Sequence, residues 1–212
     1  MSGMSLLSRD EIWESLRSKD PNSIFIDPLL EESQVGNVTV DFRLGYDFLV
    51  SIMTRKPSID LGAKDDFDKR SILSYFQESR RELGDRFVLY PNQVVISNTL
   101  EYLSLPTNVY ADVLSRSSYT RLGIHINTMM QPGFRGCVPL ELFNHGNSPV
   151  EVVVGSRICQ LRFFQIDNKR EYLEDEGPRK YYGDVRPTVS RADQDKELAR
   201  LVSLRGKSHT SS

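Results

Sequence analysis

The chain has 212 residues, enough for one well-buried domain, and length alone does not require a second. With 39% hydrophobic and 26% charged residues it has the composition of a globular protein, and a formal net charge of -2 gives no general attraction for nucleic acid. No run approaches the roughly 18 apolar residues of a membrane span, and the opening MSGMSLLSRDE lacks the apolar core of a signal peptide, so a cytoplasmic protein without membrane or nucleic-acid partners is expected.

The two cysteines, Cys137 and Cys159, lie in apolar, strand-like runs and are expected to be buried thiols rather than a disulfide framework. His125, His145 and His209 are scattered, and neither a Cys-x-x-Cys nor a His-x-Glu spacing occurs. A protein-bound zinc is therefore not expected, which sets aside the zinc-dependent nucleoside deaminases.

In chain order, Ser8 followed by Glu11 is a capping box, and Ile12, Trp13 and Leu16 give the helix behind it an apolar stripe to about Ser18. Ile24 to Leu30 is extended, and strands are expected at 37–41 and 46–50. From Pro57 to Gly84 the composition shifts to charge and helix formers; Phe67, Ile72, Tyr75 and Phe76 suggest an inserted amphipathic helix over about 65–83. Strand patterns then return at 86–89, 93–100, 101–105, 109–114, 124–128, 137–144, 150–154 and 158–166. Turn signals such as Pro106-Thr107-Asn108, Pro132-Gly133 and His145-Gly146-Asn147 separate them. This is a mainly β pattern, a distorted jelly roll or β-barrel, formed by a single domain over 1–166. Residues 167–212 read as a polar C-terminal arm with a frayed end.

Arg116, Ser117 and Ser118 stand where a strand gives way to a turn or short helix. A guanidinium, two hydroxyls and free backbone amides can grip phosphate oxygens, but a serine here is equally a helix cap, and by the residues alone the cap is the stronger reading. Glu141 alternates with Val138, Leu140 and Leu142 onto the face of Cys137, Pro139 and Phe143. A carboxylate there is either partly desolvated, with a raised pKa suited to proton transfer, or an edge-strand residue in water, as the neighbouring Pro139 allows. Arg121 lies one helical turn beyond Ser117 and reads as a site residue or a surface cation. Lys180, Tyr181 and Tyr182 belong to a lid or to a solvated tail.

Four blocks, Arg116-Ser117-Ser118-x-x-Arg121-Leu122-Gly123, Pro132-Gly133-Phe134-x-Gly136, Leu140-Glu141-Leu142-x-Asn144-x-Gly146 and Ile158-Cys159-Gln160-Leu161-x-Phe163, resemble the dCTP deaminase branch of the dUTPase-like superfamily. The likeness extends to Asp41-Phe42-Arg43-Leu44-Gly45, Lys180-Tyr181 and Pro187-Thr188-Val189-Ser190-Arg191. It implies a dUTPase-like β fold, a homotrimer with active sites between subunits, and zinc-independent hydrolysis of dCTP to dUTP and ammonia with Mg²⁺ held by the triphosphate. Carried over, it makes Glu141 the catalytic carboxylate, places Arg121 and Ser117 about the attacked carbon, and makes Arg116 and Ser118 phosphate ligands. Lys180 and Tyr181, with Tyr172, match the arm over the triphosphate, and Asp184 stands near a base-contacting glutamine of relatives.

The pattern departs from the family at Ser115, which replaces a glycine, at Gln131, where relatives are often acidic, and in a shorter hairpin over Ile124 to Gln131. A dUTP diphosphatase, alone or bifunctional with the deaminase, is the alternative, although no Asp lies between Leu122 and Phe134 to activate water against phosphorus. A non-catalytic nucleotide-binding paralogue is the third reading.

Overall fold

The computed structural model describes residues 4–54, 58–59, 61, 72–167 and 181–205. Its chain opens with β1 (Ser5–Leu6), α1 (Arg9–Arg17), β2 (Phe25–Asp27), β3 (Val40–Arg43) and β4 (Asp47–Ser51). It continues through β5 (Phe76–Arg80), β6 (Arg86–Leu89), the long β7 (Val94–Ser104), β8 (Val109–Ser115) and the single turn α2 (Ser117–Thr120). There follow β9 (Ile124–His125), β10 (Asn127–Met130), β11 (Arg135–Asn144), β12 (Val150–Val153), β13 (Arg157–Gln165) and α3 (Lys196–Arg205).

These strands form antiparallel sheets. One runs β1-β13-β8-β10 with β3 also on β13, another β5-β4-β7-β11-β9 with β2 also on β7, and β12 pairs with β6. The mainly β architecture expected from the sequence is present, in ladders with open strand orders among the described residues. The core is built from the alternate residues of these strands: Phe42, Phe163, Ile158 and Leu161 of β3 and β13, Val113 of β8, and Leu140 and Leu142 of β11 are each fully buried. Phe48 stacks on Phe87 at 4.0 Å between ring centres.

The chain divides into two compact units, Met1–Val50 with Glu78–Thr188, and Ser51–Gln77 with Val189–Ser212. In the second, the Ile52 amide donates to the Tyr75 carbonyl at 2.9 Å, and α3 follows a 3₁₀ turn at Ala192–Gln194.

Three local expectations change. Over the described part of the expected 65–83 helix, Ile72–Tyr75 is a 3₁₀ turn and Phe76–Arg80 a strand in order beside β4, so sheet pairing overrides the helical composition; residues 65–71 lie outside the described residues. The strands expected at 93–100 and 101–105 are one continuous β7, because Glu101 is inside rather than at a turn. Its Oε2 accepts from the Arg43 amide at 2.8 Å and its Oε1 from Gln34 Nε2 at 3.0 Å, while burial raises its pKa. The arm contains a helix, α3, that its polar composition did not announce. At the other end the capping box holds: Ser8 and Glu11 close it by hydrogen bonds in both directions.

Candidate functional site

The Arg-Ser-Ser block begins where β8 leaves its ladder. Arg116, in extended conformation, is the N-cap residue of α2 and provides no side-chain cap. Ser117 and Ser118 are the first two helical residues, so neither is the cap. Both are exposed, and among the described residues neither hydroxyl has a hydrogen-bond partner. The bland reading of these serines thus fails, and their hydroxyls are open to a ligand. The Arg121 amide donates to the Ser117 carbonyl at 3.1 Å, one helical turn that puts the two residues on one side of α2.

Arg116 is held from behind. Its Nη1 donates to the Arg157 carbonyl at 3.2 Å and its Nε lies 3.7 Å from Asp41 Oδ1. Asp41 Oδ2 stands equally far from Arg157 Nη1. Glu31, in turn, pairs with Arg157 and with Arg43, the latter at 2.9 Å. The fork of Arg116 is thereby kept at a fixed place while its side chain stays partly exposed. The sequence placed Asp41 in a matched block without naming it as a site residue; Arg157, far along the chain, gave no signal.

Ser115 has a local task. Its Oγ accepts from the Ile126 amide at 3.0 Å, and its own amide donates to the Ile126 carbonyl. Gly123, at φ +88°, lets the end of α2 meet the turn after β11: a Cβ there would fall 2.5 Å from the Gly146 nitrogen, and the His145 amide donates to the Gly123 carbonyl.

Glu141 sits on β11 directly opposite Ile96 of β7, which is in turn opposite Leu49 of β4. Since Leu140 and Leu142 fill the core, the Glu141 side chain points to the outer face, where it is exposed. Protein crowds it on the sheet side: desolvation raises its pKa, offset in part by its own backbone N–H. Among the described residues no other side chain pairs with it. At Glu141 itself β11 pairs only with β7 among the described residues, β9 joining its other side at Phe143 and Asn144, so the edge-strand reading stands, and Pro139 falls at the irregularity between Cys137 and Pro139. One pairing step further, Phe143 opposes His125, and His145 lies 4.2 Å from the Phe143 ring and 4.9 Å from His125, ring centre to ring centre. This aromatic and imidazole ridge was not singled out from the sequence, where His125 and Phe143 stood in separate strands and His145 in a turn.

On the other side of Glu141 lies part of the arm. Asp184, half-buried, accepts through its carbonyl from the Cys137 amide at 3.0 Å, and its carboxylate accepts from Thr188 Oγ1 at 3.1 Å. Tyr181 is half-buried in the turn that precedes it. Arg186 and Pro187 line a cavity of about 430 Å³ with Asp47, Leu49, Glu78 and Arg80. Tyr172 and Lys180 lie outside the described residues. The two cysteines are unpaired thiols: Cys159 is buried, Cys137 half-buried, and burial pushes the Cys137 thiol up to about 11.

Of the predicted residues, Arg116, Ser117, Ser118 and Arg121 stand together at α2, while Glu141 lies on β11 and Asp184 is tied to Cys137, four residues away along the same strand. No hydrogen bond or ion pair joins those α2 residues to Glu141 among the described residues. Between them they offer guanidinium and hydroxyl donors and a carboxylate of raised pKa. Among the described residues no cluster of three or more His, Cys, Asp or Glu is arranged to hold a metal ion, and no helix is long and apolar enough to cross a membrane.

Residues 6–166 match the family model described as dCTP deaminase-like. The chain is 36% identical over 200 residues to the "dCTP deaminase, dUMP-forming" of Methanobrevibacter smithii, covering 92% of this chain and 99% of the relative. It is 34% identical over 192 residues to the "dCTP deaminase" of Natronomonas pharaonis, covering 86% and 93%. The crystal structure of 2'-deoxycytidine 5'-triphosphate deaminase from Agrobacterium tumefaciens superposes on 76% of this chain at a TM-score of 0.57 and 24% identity, a likeness of fold. This chain spans 48% of that protein's length.

Proposed function

The chain belongs to the dCTP deaminase family, and on that premise we propose that it hydrolyses the 4-amino group of dCTP to give dUTP and ammonia, with Glu141 moving the protons. The observation that carries this reading is the position of Glu141: a carboxylate without a side-chain partner among the described residues, on the outer face of β11, open to a ligand and raised in pKa by desolvation.

Water attacks C4 of the cytosine ring as Glu141 takes one of its protons and passes it to N3, so a C–O bond forms and the C4–N3 double bond becomes single. Glu141 then takes the remaining hydroxyl proton and gives it to the amine, the C4 carbonyl forms as the C–N bond breaks, and ammonia leaves. A raised pKa suits a group that must be base and then acid in one cycle. Ser117 and Arg121 orient the water and stabilise the tetrahedral intermediate. Arg116, fixed by Asp41 and Arg157, and Ser118 grip the triphosphate. Tyr172, Lys180, Tyr181 and Asp184 belong to the arm that covers the nucleotide.

Guanidinium and hydroxyl donors fit phosphate oxygens, and Mg²⁺ carried by the triphosphate supplies charge neutralisation there. No protein-bound zinc takes part in the reaction as proposed. Because α2 and Glu141 belong to separate groups in the protomer, the complete site is proposed to form between copies in a homotrimer, Glu141 of one copy meeting Ser117 and Arg121 of another. A cytoplasmic setting is proposed with it, and nucleic acid and membrane are not partners.

A second reading, in which dUTP is carried on to dUMP, is favoured by relatives named dUMP-forming. Incubation with dCTP and Mg²⁺ separates the two. Ammonia with an equal amount of dUTP supports deamination alone, and ammonia with dUMP and pyrophosphate supports the bifunctional course. Nucleotide binding without ammonia leaves the non-catalytic paralogue. Glu141→Gln is expected to abolish ammonia release and retain nucleotide binding; full activity in that variant overturns the mechanism.

A further inference from the structure

Residues Gly183 to Pro187 cross the outer face of the six-stranded sheet, and Gly183, Asp184 and Val185 are each tied down. The Gly183 amide donates to the Arg135 carbonyl at 2.7 Å, the Cys137 amide to the Asp184 carbonyl at 3.0 Å, and Asn98 Nδ2 to the Val185 carbonyl at 2.6 Å. The strap thus passes from β11 over β7, and Arg186 and Pro187 bring it to the cavity walled by β4 and β5.

Two residues permit this course. Gly136, at φ +147°, lies directly beneath it: a Cβ there would stand 2.7 Å from the Asp184 carbonyl oxygen, which the Cys137 amide already holds in place. Asn98 is 6% exposed although its strand partner Pro139 is on the outer face, because the strap covers it. Its amide nitrogen is spent on Val185.

We propose that Asn98 and Gly136 are positioning residues that seat residues 183–187 as a standing wall of the groove over Glu141, within one protomer and before any nucleotide arrives. The register supports this. The Asn98–Pro139 pair is one same-face row from Ile96–Glu141, and Val94–Phe143 is the next row on the far side, carrying the His125 and His145 ridge. Same-face rows along a strand are roughly 7 Å apart, so strap and ridge stand roughly 13 Å from centre to centre, and the thickness of their own atoms leaves a slot about as wide as an aromatic ring. Glu141 lies on its floor.

A wall already in place is not ordered at the substrate's expense, so its release weakens binding before it slows chemistry. The catalytic part of this proposal rests on the deaminase reading; the seat itself does not. The test compares the full-length parent with Gly136→Ala, which pushes against Asp184, and Asn98→Asp, which keeps the size of the side chain and removes the donor. Hydrogen exchange followed by mass spectrometry is expected to accelerate at least about tenfold over 135–137 and 183–188 in both variants. The KM for dCTP is expected to rise about tenfold, with kcat changed less than about threefold. Unaltered exchange in both variants, or faster exchange with unaltered KM, overturns the proposal. A parent protein that does not turn over dCTP overturns the deaminase reading, and exchange alone then decides the seat.

Discussion

Asp41 Oδ1 lies 3.7 Å from Arg116 Nε, an ion pair that reaches from β3 to the head of α2 and is shared on its other oxygen with Arg157. The distance is long for a strong bond, and Arg116 is partly exposed, so its worth is orientation more than stability. An arginine already aimed loses less rotamer freedom when phosphate arrives.

Asp41→Asn keeps the shape and removes the charge. The expected result is a weakening of triphosphate binding by about 1 kcal/mol, roughly fivefold in KM, with kcat little changed. Steady-state kinetics on dCTP, with deoxycytidine as competitor, checks it; equal losses for the nucleoside and the triphosphate would contradict a phosphate-directed role.

Glu141 titrates above the ordinary glutamate value of 4.5 because burial disfavours its charged form. As the proposed base, it is expected to set the acid limb of kcat/KM above that value. The same shift bears on stability. In the window between 4.5 and its raised pKa the folded protein binds more protons at this site than the unfolded chain, so its contribution falls as pH rises through that window. Glu141→Gln is accordingly expected to leave the melting temperature at pH 7 unchanged or higher while activity is lost. A pronounced drop in melting temperature would mean that the carboxylate is structural.

Glu101 behaves oppositely to substitution although its pKa shifts in the same direction. It is fully buried and accepts from the Arg43 amide and Gln34 Nε2. Glu101→Ala strands two buried donors and opens a cavity, at an expected cost of about 3 kcal/mol. Urea denaturation measures it, and a loss below about 1 kcal/mol would show that water replaces the carboxylate without difficulty.

Gly123→Ala places a Cβ 2.5 Å from the Gly146 nitrogen at a φ of +88°, so both the local conformation and the contact resist it. About 2 kcal/mol of stability is expected to be lost, with displacement of α2 and a fall in activity beyond what stability explains. Thermal melting together with kcat/KM reads both effects, and a fully active, equally stable variant would refute the close approach.

The N-terminal capping box, most strands and the two groups of site residues were legible because each is written in neighbouring residues. Ser8 and Glu11 are three apart, and Leu140, Glu141 and Leu142 alternate visibly. The segment at 72–80 was misread because Ile72, Tyr75 and Phe76 fit a helical stripe equally well, and only a place in the sheet order beside β4 decides between the two. Glu101 resembled a strand end because its partners, Gln34 and Arg43, lie far back along the chain. The strap was illegible for a similar reason: Asn98, Gly136 and Val185 become neighbours only once the sheet exists.

Ser115, a departure from the family pattern, ties the Ile126 amide to its hydroxyl and the Ile126 carbonyl to its amide. The root of the hairpin is stapled to the strand that ends in Arg116. The ladder runs on from Asn127 opposite Leu114 to Met130 opposite Ala111, so changes in loop length are absorbed at the Pro132-Gly133 turn, away from Ser117 and Arg121. A lineage built this way can change the length of this loop while the start of α2 keeps its place.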